Sequence, residues 1–199
     1  MNPEHYYTQN PTSKSNPTAV RFTCRGHELS LITDSGVFSK KELDTGTRIL
    51  LEALPKSVCG NVLDLGCGWG PVGICLALDN PESTVTFCDI NSRALDLAKK
   101  NAETCGIDGR YILSDGFEKI TGSFDLIVTN PPIRAGKKVI YRMFADSTDH
   151  LTPDGSFYLV IRKQQGAESA VKYLHTLFPN VRVIEKSSGY WVILCRRHE

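Results

Sequence analysis

The stretch Val62-Leu63-Asp64-Leu65-Gly66-Cys67-Gly68-Trp69-Gly70-Pro71 decides the fold. A short apolar strand, Asn61–Leu65, runs into three alternating glycines, and Pro71 opens a helix at once. Proline in a first helical turn sacrifices no amide donor. Glycine lets such a turn take positive φ and lets a ligand approach the backbone closely. The helix start behind it offers unpaired amides and a partial positive charge to an anionic group. A tight turn that holds no ligand is the alternative. Spacing separates the candidate ligands. A dinucleotide fingerprint GxGxxG counted from Gly66 needs glycine where Pro71 stands. The frame Gly68–Gly73 satisfies the pattern, but it begins two residues into the turn and Pro71 interrupts it.

Outward from this turn the chain alternates between strand and helix. Pro71–Leu78 predicts a helix, Thr84–Cys88 a strand, and Asn91 caps a helix that Gly106 ends. Strands follow at Arg110–Leu113 and Phe124–Thr129, a helix at Lys137–Leu151, a strand at Ser156–Arg162 and a helix at Ala167–Phe178. Val181–Glu185 and Tyr190–Cys195 form a closing hairpin. Upstream, Val20–Cys24 and Glu28–Ile32 alternate around Gly26 and His27 as a small hairpin, and Leu43–Leu54 reads as a helix stopped by Pro55. The expected fold is α/β: a Rossmann-like, mostly parallel seven-stranded sheet with one antiparallel strand from the C-terminal hairpin, preceded by a small β-hairpin and helix. An N-terminal extension over 1–55 and a catalytic domain over 56–199 are the expected units. Residues 1–18, polar and proline-containing, are expected to be mobile or loosely laid on the surface.

Three aspartates stand at or near expected strand ends, where open α/β sheets bind ligands: Asp64, Asp89 and Asp115. Asp89 suits acceptance from two ribose hydroxyls; its bland alternative is a helix-capping or surface residue. The run DxGxGxG from Asp64 to Gly70 resembles the first motif of class I S-adenosylmethionine (SAM) methyltransferases. That resemblance implies that Asp64, Gly66, Gly68 and Gly70 hold the methionine end of SAM, with Asp64 toward its amino group. It also implies that Asp115 accepts from the adenine amine.

The fourth strand ends in Asn130-Pro131-Pro132-Ile133. Proline does not sit inside a central strand, so the chain leaves the sheet here. The Asn130 side-chain oxygen and the Pro131 carbonyl are two fixed acceptors. They suit a planar exocyclic amine, whose delocalised lone pair must become available for attack. Holding both N–H bonds aligns the nitrogen and stabilises its developing positive charge. A rigid turn with no catalytic part is the alternative. The motif resembles the Asn-Pro-Pro-aromatic signature of amino-methyltransferases acting on adenine, guanine or glutamine nitrogen. Ile133 departs from it, offering an apolar face where a ring stacks on the target base. Pro132 completes that wall.

Asp34–Ser39, Leu43–Leu51, Asn130–Lys137 and Arg162–Ala167 are similar to segments of the bacterial ribosomal RNA small-subunit guanine-N2 methyltransferases, in particular their short single-domain relatives. The resemblance covers roughly 20–195 and implies a SAM-dependent enzyme acting on guanine N2 in ribosomal RNA, without the second methyltransferase-like domain of the longer members. Arg134, Lys137, Lys138 and Arg142 are the only charged residues between Asn130 and Ala145. They make a basic patch after the catalytic turn, suited to phosphates. Each singly is equally a solvated helix face. A glutamine-N5 or small-molecule methyltransferase, and a noncatalytic SAM-binding ribosome-assembly module, stay open as alternatives.

The 199 residues carry 23 basic and 22 acidic side chains, a net charge of +1 that rules out coating nucleic acid by bulk charge. No apolar run is long enough to span a bilayer, and the polar start lacks the layout of a signal peptide. The seven cysteines and five histidines show no ligand spacing. Buried free thiols, no metal site and a cytoplasmic location are therefore expected.

Overall fold

The computed structural model describes residue 9 and residues 11–198. Strands β1 (Thr18–Cys24) and β2 (His27–Thr33) pair antiparallel as a separate two-stranded sheet. Helix α1 (Thr45–Ala53) leads to β3 (Asn61–Leu65), α2 (Pro71–Asp79), β4 (Thr84–Asp89), α3 (Ser92–Thr104), β5 (Arg110–Leu113) and β6 (Phe124–Thr129). Helix α4 (Lys137–Asp149), β7 (Leu151–Arg162), α5 (Ala167–Leu174), β8 (Asn180–Ser187) and β9 (Tyr190–Arg196) complete the chain. The main sheet has seven strands in the order β5-β4-β3-β6-β7-β9-β8. Only β9 runs against its neighbours: it lies between β7 and β8 and pairs antiparallel with both. The expected fold class is the observed one.

Alternation along the strands splits the core into two clusters, one on each face of the sheet. Val62, Val85, Phe87, Leu126 and Val160 face the cluster that contains the hairpin, α1, α2 and α3. Leu63, Leu65, Cys88, Ile127 and Phe157 face α4 and α5. This period of two is what a sheet covered on both sides requires. Leu50 and Leu51 of α1 are fully buried in the first cluster, so the N-terminal helix shares the core of the sheet.

Side-chain bonds fix the N-terminal elements further. Arg25, in the β1–β2 turn, donates to the Leu51, Leu54 and Pro55 carbonyls and pairs with Asp79. It thereby satisfies orphan acceptors at the end of α1. Buried Asn101 of α3 accepts from Ile32 N–H at 2.8 Å and donates to the Ile32 and Trp69 carbonyls. One amide thus ties the small sheet to the glycine-rich turn. Within the polar segment expected to lie loosely, residues 11–16 are pinned down. Ser15 Oγ donates to Asp34, and Arg93 donates to the Ser13 and Ser35 carbonyls. The Gln9 carbonyl accepts from Ser92 N–H at 3.0 Å and Thr18 already belongs to β1; residues 1–8 and 10, with His5, lie outside the described ones.

The largest departures from expectation are at two helix ends and at two cysteines. Leu151 starts β7 rather than ending α4, because its apolar side chain fits either pattern. Helix α5 stops at Leu174, and Leu177 and Phe178 continue the apolar spacing through turns rather than helix. Cys59 is exposed and Cys105 half-buried; the other five free cysteines are buried. Among the described residues no helix is long and apolar enough to cross a membrane.

Candidate active site

The C-terminal ends of β3, β4, β5 and β6 open onto one cleft that encloses about 870 Å³, solvent-open space included. A volume of several hundred Å³ suits a cofactor-sized ligand. The glycine-rich turn forms its floor. Gly66 N–H and Cys67 N–H both donate to the Cys88 carbonyl, at 2.8 and 2.9 Å, which stitches the turn to β4. Gly66, Gly68 and Gly70 all take positive φ (74°, 56° and 93°). A Cβ at Gly66 or Gly68 would meet no protein atom within 4 Å. At Gly70 it would meet Ala98 at 3.2 Å. The first two glycines therefore keep a cradle clear for a ligand, and the third lets α2 and α3 pack.

The acidic residues take different positions. Asp64 is buried, lines the cleft and accepts from Gly73 N–H at 2.8 Å. Burial pushes its carboxyl up to about 7; the Gly73 amide opposes the shift and the Asp89 charge adds to it. Asp89 also lines the cleft, with its oxygens accepting from Gly68 N–H at 2.8 Å and Asn91 N–H at 2.9 Å. Burial raises it to about 6 against those two bonds. Asp115 does not line the cleft; its neighbours Ser114 and Gly116 do. Its carboxylate turns outward to Arg142 at 2.8 Å.

Asn130 and Pro132 line the opposite wall; Pro131 between them is buried and does not line the cleft. The Asn130 amide nitrogen donates to Asp44 Oδ2 at 3.0 Å and to Thr47 Oγ1 at 2.9 Å. Asp44 and Thr47 also line the cleft. The Pro132 carbonyl accepts from Ala135 N–H at 2.8 Å, so it serves the short 3₁₀ turn over Ile133–Ala135. Ile133 is half-buried against the cluster beneath α4 and does not line the cleft. Among the described residues, the only aromatic side chains in the lining are Phe38 and Trp69. Trp69 is buried and donates from Nε1 to the Phe38 carbonyl at 3.1 Å, which fixes the loop that carries Phe38. Arg134, Lys137 and Lys138 are exposed beyond the Asn-Pro-Pro turn. Arg142 is engaged by Asp115 and by Glu118 at 3.5 Å, so it adds less to a basic surface than its sequence position suggests.

Sequence reasoning missed Asp44, Thr47 and Phe38. All three lie in the family-like segments Asp34–Ser39 and Leu43–Leu51, but no role was read for them; by local chemistry Asp44 with threonine three residues on reads as an N-cap.

Residues 28–194 match the model of the methyltransferase small domain. The chain belongs to that family. It is a SAM-dependent methyltransferase, and SAM is its cofactor. The cleared glycine cradle and the acidic strand ends are a donor and acceptor set that fits this cofactor. The chain is 43% identical over 198 residues to the uncharacterized protein YbxB of Bacillus subtilis, covering 98% of each. It is 36% identical over 185 residues to the ribosomal RNA small subunit methyltransferase C of Aeromonas hydrophila, covering 88% of this chain and 52% of that one. The structure of the Thermus thermophilus 16S rRNA N2 G1207 methyltransferase (RsmC), in complex with AdoMet and guanosine, superposes with a TM-score of 0.84 at 28% identity. That alignment covers 94% of this chain and 52% of RsmC. The chain thus spans about half the length of these RNA-modifying relatives.

Proposed function

We propose that this chain transfers a methyl group to the exocyclic N2 amine of a guanine in ribosomal RNA. The observation that carries the proposal is the fixed orientation of Asn130. A carboxylate only accepts hydrogen bonds, so Asp44 dictates that the amide nitrogen faces it and that the amide oxygen faces away. The two N–H bonds of the amide are used by Asp44 and Thr47. The oxygen is left to accept from an incoming N–H in the cleft.

Bound SAM supplies an electrophilic methyl on a sulfonium. The chain's own groups handle the acceptor. Asn130 Oδ1 takes one N–H of the amine; the Pro131 carbonyl, whose residue lies behind the lining, is assigned the other once the acceptor is seated. As the nitrogen lone pair leaves conjugation, both bonds strengthen, which lowers the barrier. The proton is released to water after transfer. Asp64 and the Gly66–Gly70 turn are assigned to the methionine end of the cofactor, and Asp89 to its ribose. At the adenine end, Ser114 and Gly116 replace Asp115, because they form the wall there. Arg134, Lys137 and Lys138 are assigned to RNA phosphates.

Similarity to the small-subunit methyltransferases supports guanine in RNA over glutamine or a small molecule. The test is methyl transfer from labelled SAM to naked ribosomal RNA and to isolated subunits, followed by digestion to nucleosides. N2-methylguanosine is expected. Label in protein, in another nucleoside, or in neither would overturn the reading.

A further inference from the structure

We infer that Asp44 and Thr47 are positioning residues that hold Asn130 in its reactive orientation, and that the first turn of α1 is therefore part of the methyl-acceptor site. The inference rests on the proposed role of Asn130 and deepens it.

Asp44 is the N-cap of α1, with its Oδ2 accepting from Thr47 N–H at 3.0 Å. The same oxygen accepts from Asn130 Nδ2 at 3.0 Å. Thr47 Oγ1 takes the second amide hydrogen at 2.9 Å and lies 3.4 Å from Asp44 Oδ2, toward which its own hydroxyl points. The three side chains form a closed set in which each donor meets an acceptor. A flipped Asn130 amide would set its oxygen against the Asp44 carboxylate, so the flip is electrostatically forbidden. Position 46 leaves room for the arrangement. A Cβ at Gly46 would stand 3.0 Å from Asp44 Oδ2 and 2.8 Å from the Tyr190 ring. Helix capping needs only one acceptor, which serine supplies as well as aspartate. Reaching Asn130 as well demands the longer carboxylate arm. A preorganised acceptor is effective only when its orientation is fixed before the reaction.

The difference between capping and holding gives the test. Asp44→Ser keeps an N-cap but is one atom too short to reach Asn130. Asp44→Asn keeps both the cap and an oxygen at carboxylate length. Thr47→Val removes the second acceptor and leaves the Asp44 cap on the Thr47 amide. Single-turnover rates, KM for RNA, SAM affinity and Tm are measured on each, beside Asn130→Ala. Asp44→Ser should slow transfer by about ten- to a hundredfold, with SAM affinity within a few-fold and a Tm matching that of Asp44→Asn. Asp44→Asn should recover most of that loss, and Thr47→Val should slow transfer without changing KM in proportion. Equal rates in Asp44→Ser and Asp44→Asn, or a loss that merely tracks Tm, would overturn the inference. Should Asp44→Ser not fold, Thr47→Val decides: a normal rate in it refutes the holding role. Slow Asn130→Ala with normal Asp44 and Thr47 variants would discard this inference and keep the proposed function. A normal rate in Asn130→Ala would discard both.

Discussion

Arg142 Nη2 lies 2.8 Å from Asp115 Oδ1, joining α4 to the loop after β5. Each residue, read from sequence, belongs to a different ligand: Arg142 to an RNA phosphate and Asp115 to adenine. The pair is partly exposed, so it adds at most about 1 kcal/mol of stability. Its larger effect is on surface charge. Neutralising Arg134, Lys137 and Lys138 together should flatten the salt dependence of RNA binding, by up to about 0.7 log–log units for each phosphate they cease to neutralise on single-stranded RNA. Arg142→Gln should change the slope less than any of the three. Filter binding at several salt concentrations checks this. A dominant effect of Arg142→Gln would show that RNA displaces Asp115.

Asn130→Ala should lower single-turnover methyl transfer by about a hundred- to a thousandfold, the usual consequence of losing one transition-state hydrogen bond. Circular dichroism should show an intact fold, because the residue is half-buried at a strand end. SAM calorimetry should move by no more than a few-fold. Undiminished turnover would leave the Asn-Pro-Pro turn as a structural corner.

Asp89 joins the glycine-rich turn to the start of α3 through Gly68 and Asn91. Asp89→Ala should therefore weaken SAM binding by about 1–3 kcal/mol, through missing ribose acceptors and a loosened turn together. Calorimetry with unchanged affinity would remove the residue from the cofactor site.

The raised carboxyls set a pH signature. Asp64 near 7 and Asp89 near 6 keep protons in the folded chain that the unfolded chain has already released. From about pH 4 to about pH 7 the folded state binds more protons, so stability from these groups falls as pH rises and then levels. SAM binding should run the other way. The proposed pairing of Asp64 with the cofactor's ammonium would favour the ionised carboxylate, so affinity should decline below about pH 7, by up to about tenfold per pH unit. Asp64→Asn should flatten both profiles. Urea midpoints and calorimetry between pH 5 and 8 supply the check, and profiles unchanged by the substitution would contradict it.

Gly73 marks a packing limit rather than a conformational one. A Cβ there would stand 2.3 Å from the Phe87 ring, in a fully buried contact between α2 and β4. Gly73→Ala should destabilise the fold by about 1–3 kcal/mol. It should also disturb Asp64, which accepts from the Gly73 amide. Thermal denaturation and SAM titration on one sample would reveal both effects; a wild-type Tm would mean the ring moves freely.

Local patterns carried most of the architecture. Asn61–Leu65, Arg110–Leu113 and Phe124–Thr129 are bounded in the structure as their residues suggest, because turn residues and proline close each apolar run. Leu151 and Phe178 misled, since apolar spacing at a helix end does not say whether the next turn is made. In the site, Asp64, Asp89 and Asn130 were legible because strand ends in this topology share one edge. Asp115 was not, because a one-residue change in facing separates it from Ser114 and Gly116. Asp44 and Thr47 lie in a family-like segment, but their role was not legible for another reason. Their meaning lies in a bond between distant parts of the chain, as the Asp44–Asn130 separation of 86 residues shows, and a capping pattern is complete without it.

The placement of β9 between β7 and β8 bears on the order of assembly during synthesis. A ribosome releases β7 first, then β8, and the strand that must join them last. Until Tyr190–Arg196 has emerged, the outer edge of β7 is unpaired and β8 has no neighbour. The β7-β9-β8 half of the sheet therefore closes only once Tyr190–Arg196 is available, while β3 to β6 can already pair. Released chains truncated after residue 189 should show protease-resistant β3–β6 and a protease-sensitive β8, a pattern that disappears when Tyr190–Arg196 is present.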